Sequence, residues 1–141
     1  MAKVTDQRVF RILDANVNRV KEGLRVCEDI SRFAADKSSL TRRLKQCRHA
    51  LTEAVTRLPR QTLLSARDVP RDIGRRTAFQ ESKRQNINDI FLANAQRVKE
   101  SLRVLEELAK LFDGSLAERL KRLRYRFYSV EKDYFFLTKR I

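Results

Sequence analysis

The sequence is short of the residues that interrupt regular structure: 3 glycines and 2 prolines in 141 residues. So few turn formers predict long, regular elements. Tryptophan is absent, and the single histidine, His49, cannot assemble a zinc site alone. Neither Cys27 nor Cys47 has a CxxC neighbour, which argues against a structural zinc. Both cysteines fall on apolar helical patterns and are expected as free buried thiols, which suits a reducing, cytoplasmic setting. No apolar run approaches the roughly 18 residues of a membrane span. The opening MAKVTDQRVF lacks the apolar stretch of a secretory signal. Glycine-rich phosphate loops are missing too: Gly23, Gly74 and Gly114 stand singly, so P-loop and dinucleotide motifs are excluded. Acidic residues are also scarce, 18 against 32 basic, for a formal charge of +14. That balance favours anionic partners: nucleic acid, phosphorylated metabolites or an acidic surface.

What is present is a repeat. Residues 15–28 read ANVNRVKEGLRVCE and residues 93–106 read ANAQRVKESLRVLE, with 10 of 14 positions identical at an offset of 78. A second match sets Arg43-Leu44-Lys45 and Arg48 on Arg119-Leu120-Lys121 and Arg124, at an offset of 76. The chain thus predicts an all-α fold, a four-helix bundle built from a duplicated helical hairpin. The two copies span about 11–58 and 89–139 of a single domain covering 1–141.

The expected first helix runs from about Asp6 to Ala35, with Ile12, Leu13, Val17, Val20, Leu24, Cys27 and Ile30 at amphipathic spacing. The second follows Ser38-Ser39 as N-cap, carries Leu40, Leu44, Cys47, Leu51, Val55 and Leu58, and ends at Pro59. A third is expected from Asn86 to Phe112, closed by Asp113-Gly114. The fourth would open on the capping box Ser115-Leu-Ala-Glu118. Between the hairpins, about 60–85, an irregular loop contains SARDVPRDIGRRT, and a loop this long in a compact domain is commonly functional. In the C-terminal YRFYSVEKDYFF, Phe127, Val130, Tyr134 and Leu137 keep helical spacing, which favours core packing over base stacking.

Asn16 falls in the middle of the first apolar face and Asn94 in the middle of its copy. A buried amide costs roughly 1–3 kcal/mol unless its hydrogen bonds are met. The two asparagines satisfy one another across the pseudo-twofold, or fix helix register, or face a polar cavity that holds a ligand. Arg19 and Arg97 border the same faces, with Glu22 and Glu100 placed for i,i+3 pairing. Arg25 and Arg103, with Glu28 and Glu106, read as a solvated ladder. Arg48 and Arg124 occupy matching positions on the other two helices. Arginine holds phosphate oxygens in a bidentate grip, and without a glycine-rich loop arginines must supply any phosphate site. Asp68 and Asp72 are the candidates to hold Mg²⁺. Arg67 and Arg75, in the same loop, are placed to neutralise a transferring phosphoryl.

The segments ILDANVNRVKEGLRVCEDISRF, LTRRLKQCRHAL, SARDVPRDIGR, FLANAQRVKESLRVLEELAKL and ERLKRLRYRFYSVEK together resemble one family, over about Arg11 to Lys132. It is the small monofunctional hydroxymethylpyrimidine phosphate kinase family of thiamin biosynthesis, a domain often fused in front of thiamin phosphate synthase. The resemblance implies a domain standing alone here. It implies an ATP-dependent phosphotransferase that converts 4-amino-2-methyl-5-hydroxymethylpyrimidine phosphate to the diphosphate and does not accept the free alcohol. It also implies ATP as co-substrate, Mg²⁺, and thiamin phosphate synthase as a candidate partner; a homodimer is compatible with it. The motif residues fall on Asn16, Arg19, Glu22, Arg25, Glu28, Arg48, Arg67, Asp68, Asp72, Gly74, Asn94, Arg97, Glu100, Arg103, Glu106 and Arg124. Cys27 stands where the family usually has a larger aliphatic residue.

On this reading Arg19, Arg97, Arg48 and Arg124 bind phosphates and Asn16 and Asn94 recognise the pyrimidine, with Glu22 and Glu100 beside them. Three rivals remain. A basic helical module for nucleic acid, or for protein interaction without catalysis, would carry its arginines on one outer face. An arginine-rich helical enzyme of the chorismate mutase type would need no metal. A non-catalytic partner would only dock on thiamin phosphate synthase.

Overall fold

The computed structural model describes residues 6–76 and 83–138, so 77–82 of the expected connecting loop and residue 139 of the second repeat lie outside the described residues. Five α-helices appear in these residues, with no strand among them: α1 Gln7–Asp29, α2 Ser38–Val55, α3 Arg60–Ala66, α4 Ile87–Ala109 and α5 Gly114–Leu137. None is long and apolar enough to cross a membrane.

Asp6 starts α1 by accepting the Arg8 backbone N–H at 2.9 Å, which satisfies one of the free donors of the first turn. A single π-helical turn, Ile30–Ala34, continues the helix, and Asp36 with φ of 53° turns the chain back into α2. The residue before α2 is Lys37, which makes no side-chain cap, rather than the expected Ser38-Ser39. Instead, the Thr41 hydroxyl donates to the Lys37 carbonyl at 2.9 Å and packs on the Ser31 hydroxyl, tying the turn together.

Pro59 has a different role from the one expected. α2 has already ended at Val55, and Pro59 stands ahead of α3. This seven-residue helix lies inside the stretch expected to be irregular, and buries Leu63 and Ala66 against α1. Two buried positions are too few to show a helical period. At the other hairpin, Gly114 does not close α4 with a positive φ. It lies in the first turn of α5, capped by Asp113, whose carboxylate accepts the Leu116 N–H at 3.0 Å. The expected capping box at Ser115 gives way to Asp113, and the Ser115 hydroxyl takes a hydrogen bond from Arg57 instead.

The four long helices touch in a closed ring: α1 on α2, α2 on α5, α5 on α4, and α4 on α1. The interior is filled by Leu13, Val20, Leu24, Leu44, Leu51, Phe91, Val98, Leu102, Leu105, Leu120 and Phe127, all essentially solvent-free. Each such side chain contributes roughly 1.5–3 kcal/mol by leaving water. Phe91 stacks flat on Tyr134, whose hydroxyl donates to Asn88 Oδ1 at 2.7 Å. Two residues of the expected stripes face out instead: Ile12 and Leu137.

Where α1 meets α4, the backbones come close. A Cβ on Gly23 would lie 2.7 Å from Val98 Cγ2 and 3.1 Å from the Asn94 carbonyl oxygen. The glycine is there for that approach, not for a turn. Its counterpart in the second repeat is Ser101, also buried.

Candidate functional site

The close α1–α4 crossing brings Asn16 and Arg19 of α1 near Arg97, Glu100 and Ser101 of α4. After α3, the chain runs back across α1 as the loop Arg67–Arg76. Two cavities open where these parts meet. One, of about 370 Å³, is lined by Arg8, Arg11, Ile12, Asp14, Ala15, Asn16, Arg19, Arg67, Asp68, Val69 and Asp72. The other, of about 520 Å³, is lined by Asn16, Arg19, Gly74, Ala93, Arg97, Glu100, Ser101 and Val104. Asn16 and Arg19 belong to both, so the cavities adjoin through the first copy of the repeated motif.

Within the first cavity, Asp14 and Arg67 form a bidentate pair: Arg67 Nε donates to Asp14 Oδ2 at 2.7 Å and Nη2 to Oδ1 at 2.8 Å. Asp14 is buried, while the Arg67 side chain is 42% exposed, so the guanidinium spans from helix to cavity. The bonds to Asp14 also raise the arginine's proton affinity, keeping it charged. Arg11 reaches the Asp68 carbonyl at 3.3 Å, pinning the next loop residue to the same helix. Asp68 Oδ1 accepts the Arg71 N–H and Asp72 Oδ1 the Gly74 N–H, so each carboxylate also stabilises a tight turn. Among the described residues, no three or more of His, Cys, Asp and Glu gather into a metal site. Asp68 and Asp72 nevertheless belong to one cavity lining, and carboxylate is the ligand type a hard cation prefers.

The asparagines do not bond one another. Asn16 Nδ2 donates to the Ile12 carbonyl at 2.9 Å and Asn94 Nδ2 to the Ile90 carbonyl at 2.8 Å, each one turn back. The Asn16 amide oxygen is turned towards Arg19, 3.4 Å from Nη1. Asn16 lines both cavities, whereas Asn94 lines neither of these two.

The i,i+3 pairs expected at Arg19–Glu22 and Arg97–Glu100 do not form. The repeat's ion pairs run between helices instead. Arg48 Nε donates to Glu28 Oε2 at 2.9 Å, joining α2 to α1. Arg124 Nε donates to Glu106 Oε2 at 3.0 Å, joining α5 to α4. Glu28 and Glu106 are thus buried hairpin ties rather than a solvated ladder, while their helix neighbours Arg25 and Arg103 stay largely in solvent. Burial opposes the charge on Arg124, but hydrogen bonds to Tyr128 and Glu106 outweigh it and hold the guanidinium protonated. Arg48 and Arg124 therefore line neither cavity, and exposed Glu22 and Arg75 stand outside both linings.

Asp14 is the site residue that the repeat pattern concealed. Its counterpart at the offset of 78 is Leu92, so comparing identical positions passes over it. The informative signal was a carboxylate on an apolar face, in one copy alone. For Glu28–Arg48 the signal was the recurrence of the same opposite charges at matched positions in both copies.

A family model matches residues 11–133. The chain belongs to the ThiD2 family. Curated relatives carry the name thiamine-phosphate synthase. The protein of Synechocystis sp. is 42% identical over 132 residues, which is 93% of this chain and 37% of that protein. The one from Nostoc punctiforme is 41% identical over 128 residues, 90% of this chain and 35% of the relative. That of Rhodopirellula baltica is 38% identical over 135 residues, 94% and 36%. This ThiD2 chain therefore spans little more than a third of the length of the curated relatives it matches. No solved structure matches it.

Proposed function

We propose that the chain is an ATP-dependent kinase of thiamin biosynthesis, converting hydroxymethylpyrimidine phosphate to the diphosphate. Its relatives are named for the enzyme that makes thiamine phosphate, so a pyrimidine diphosphate supplied to that step gives the two activities a common pathway. We read the fold as a four-helix bundle of two duplicated hairpins, with α3 and its loop added over one of them.

The observation that supports this reading is the meeting of Asn16, Arg19, Arg67, Asp68 and Asp72 around one cavity, from two distant parts of the chain. The acceptor is a phosphate whose second proton leaves near pH 6, so at neutral pH its oxygen is already an anionic nucleophile. That oxygen bonds to the γ-phosphorus as the bond to the β,γ-bridging oxygen breaks, and ADP leaves with the electron pair. No protein group needs to accept a proton, so the chain's task is positioning and charge neutralisation.

Arg67, oriented by Asp14, presents its remaining Nη1 donors to the transferring phosphoryl. Arg19, shared by the adjoining cavities, and Arg97, in the second of them, hold the phosphate of the acceptor. Asn16, at the centre, reads the aminopyrimidine edge with its amide oxygen. Asp68 and Asp72 would hold Mg²⁺, which supplies charge neutralisation on the nucleotide phosphates. The free alcohol lacks the phosphate that the arginines bind, and leaving them unmatched explains its rejection.

The test is phosphoryl transfer from ATP with Mg²⁺ to the pyrimidine monophosphate and to the free alcohol, side by side. Diphosphate formed from the monophosphate alone is the expected result. Absence of product from the monophosphate rejects the reading.

A further inference from the structure

The duplication raises a question that the repeated residues cannot answer, because α1 and α4 carry the same asparagine, arginine and glutamate. The answer lies at a position where the copies differ. Asp14 is buried in α1, two residues before Asn16, and Leu92 stands at the equivalent place in α4, 41% exposed. A carboxylate can bind a guanidinium through two parallel hydrogen bonds, and a leucine cannot. We infer that Asp14 is the positioning residue that builds the site on the first repeat, and that the second repeat, with Leu92 at the equivalent place, lacks the carboxylate such a site needs. This inference rests on the kinase reading for its activity arm.

The geometry supplies the reason. Asp14 takes both Nε and Nη2 of Arg67, at 2.7 and 2.8 Å, which leaves that side chain little rotational freedom and aims Nη1 away from the helix. Arg67 is the residue immediately after α3, so fixing it fixes where the loop begins. With Arg11 holding the Asp68 carbonyl, two consecutive loop residues are pinned to α1, and the Asp68 carboxylate is set beside Asn16 and Arg19. Without Asp14 the loop keeps a single long tether, and Arg67 swings free in solvent.

Asp14→Asn keeps the shape of the side chain and replaces one acceptor with a donor that faces the guanidinium. It should lower kcat at least tenfold with helical circular dichroism unchanged. Trypsin cleavage of the native protein after Arg71 and Arg75 should become several-fold faster, since that loop is no longer pinned. In the exchanged pair Asp14→Arg with Arg67→Asp, the bridge is rebuilt with its charges reversed, so protection returns while turnover does not. Leu92→Asp should leave turnover unchanged. Should Asp14→Asn not fold, Arg67→Lys carries the same expectations, because lysine keeps the charge and loses the two-bond grip. Turnover within twofold of the parent, or lost turnover without faster cleavage, overturns the inference. If the parent itself transfers no phosphoryl group, the kinase reading fails separately. The inference is then decided by cleavage alone: faster in Asp14→Asn upholds it, unchanged rejects it.

Discussion

Single side chains in this protein are most sensitive where charge is buried. Arg124 and Glu106 are both nearly solvent-free, and removing one leaves the other buried without its closest opposite charge. Arg124→Met should destabilise the fold by about 3–5 kcal/mol in urea titration, and the double variant with Glu106→Gln by less than the sum of the two. Arg48 is 21% exposed, so Arg48→Met should cost clearly less than Arg124→Met. Equal losses would mean that the two pairs differ in something other than burial. The thiols offer a second test. Burial pushes Cys47 up to about 11 and Cys27 higher still, so both are protonated and shielded at neutral pH. Native protein should react with a disulfide reagent at pH 8 far more slowly than protein in guanidinium. The linkage has a definite sign. Unfolded thiols ionise near pH 9 while native Cys47 holds its proton to about 11, so its contribution to stability is intact below pH 9 and declines between the two values. Cys47→Ala should flatten that decline in chemical denaturation followed across pH 8 to 11.

At the scale of elements, the α1–α4 crossing governs where the site residues stand. Gly23→Ala gains helix propensity of up to about 1 kcal/mol, but its methyl group meets Val98 and the Asn94 carbonyl. The backbone carbonyl cannot rotate aside, so the net effect should be a loss of about 1–3 kcal/mol. Adding Val98→Ala should recover part of it, because the new methyl fills the space just vacated. A Gly23→Ala protein as stable as the parent would show that the helices separate without penalty. Long helices were legible in the sequence because four to seven apolar residues recur at helical spacing along each. α3 was not, since seven residues with two buried positions show no period. The caps were misplaced for a related reason: Asp113 and Ser115 both suit a helix start, and the chain's path between α4 and α5 decides between them.

For the whole molecule, a formal charge of +14 sets the field in which any anionic ligand approaches. If ATP and a pyrimidine phosphate are the substrates, kcat/KM should fall several-fold between about 20 and 500 mM salt, mainly through KM, as screening shortens the reach of that field. A salt-independent kcat/KM would confine the electrostatics to contacts inside the cavities. Charge alone did not select a partner class. The proposed choice of a small anion rests on the cavities, which gather arginines with aspartates and an asparagine.

The sequence by itself determined the helices, the duplication and the set of polar residues in play. Periodicity and identity at fixed offsets are local properties, readable without coordinates. Which of two equivalent half-sites carries the loop was decided by tertiary structure alone. Asp14 and Arg67 lie 53 residues apart, and no pattern along the chain brings a carboxylate on one helix to a guanidinium at the end of another. Glu28 with Arg48 and Glu106 with Arg124 recur as matched opposite charges in both copies, but only the fold pairs them. Burial makes those pairs obligatory, because a charge withdrawn from water must find its counterpart in three dimensions.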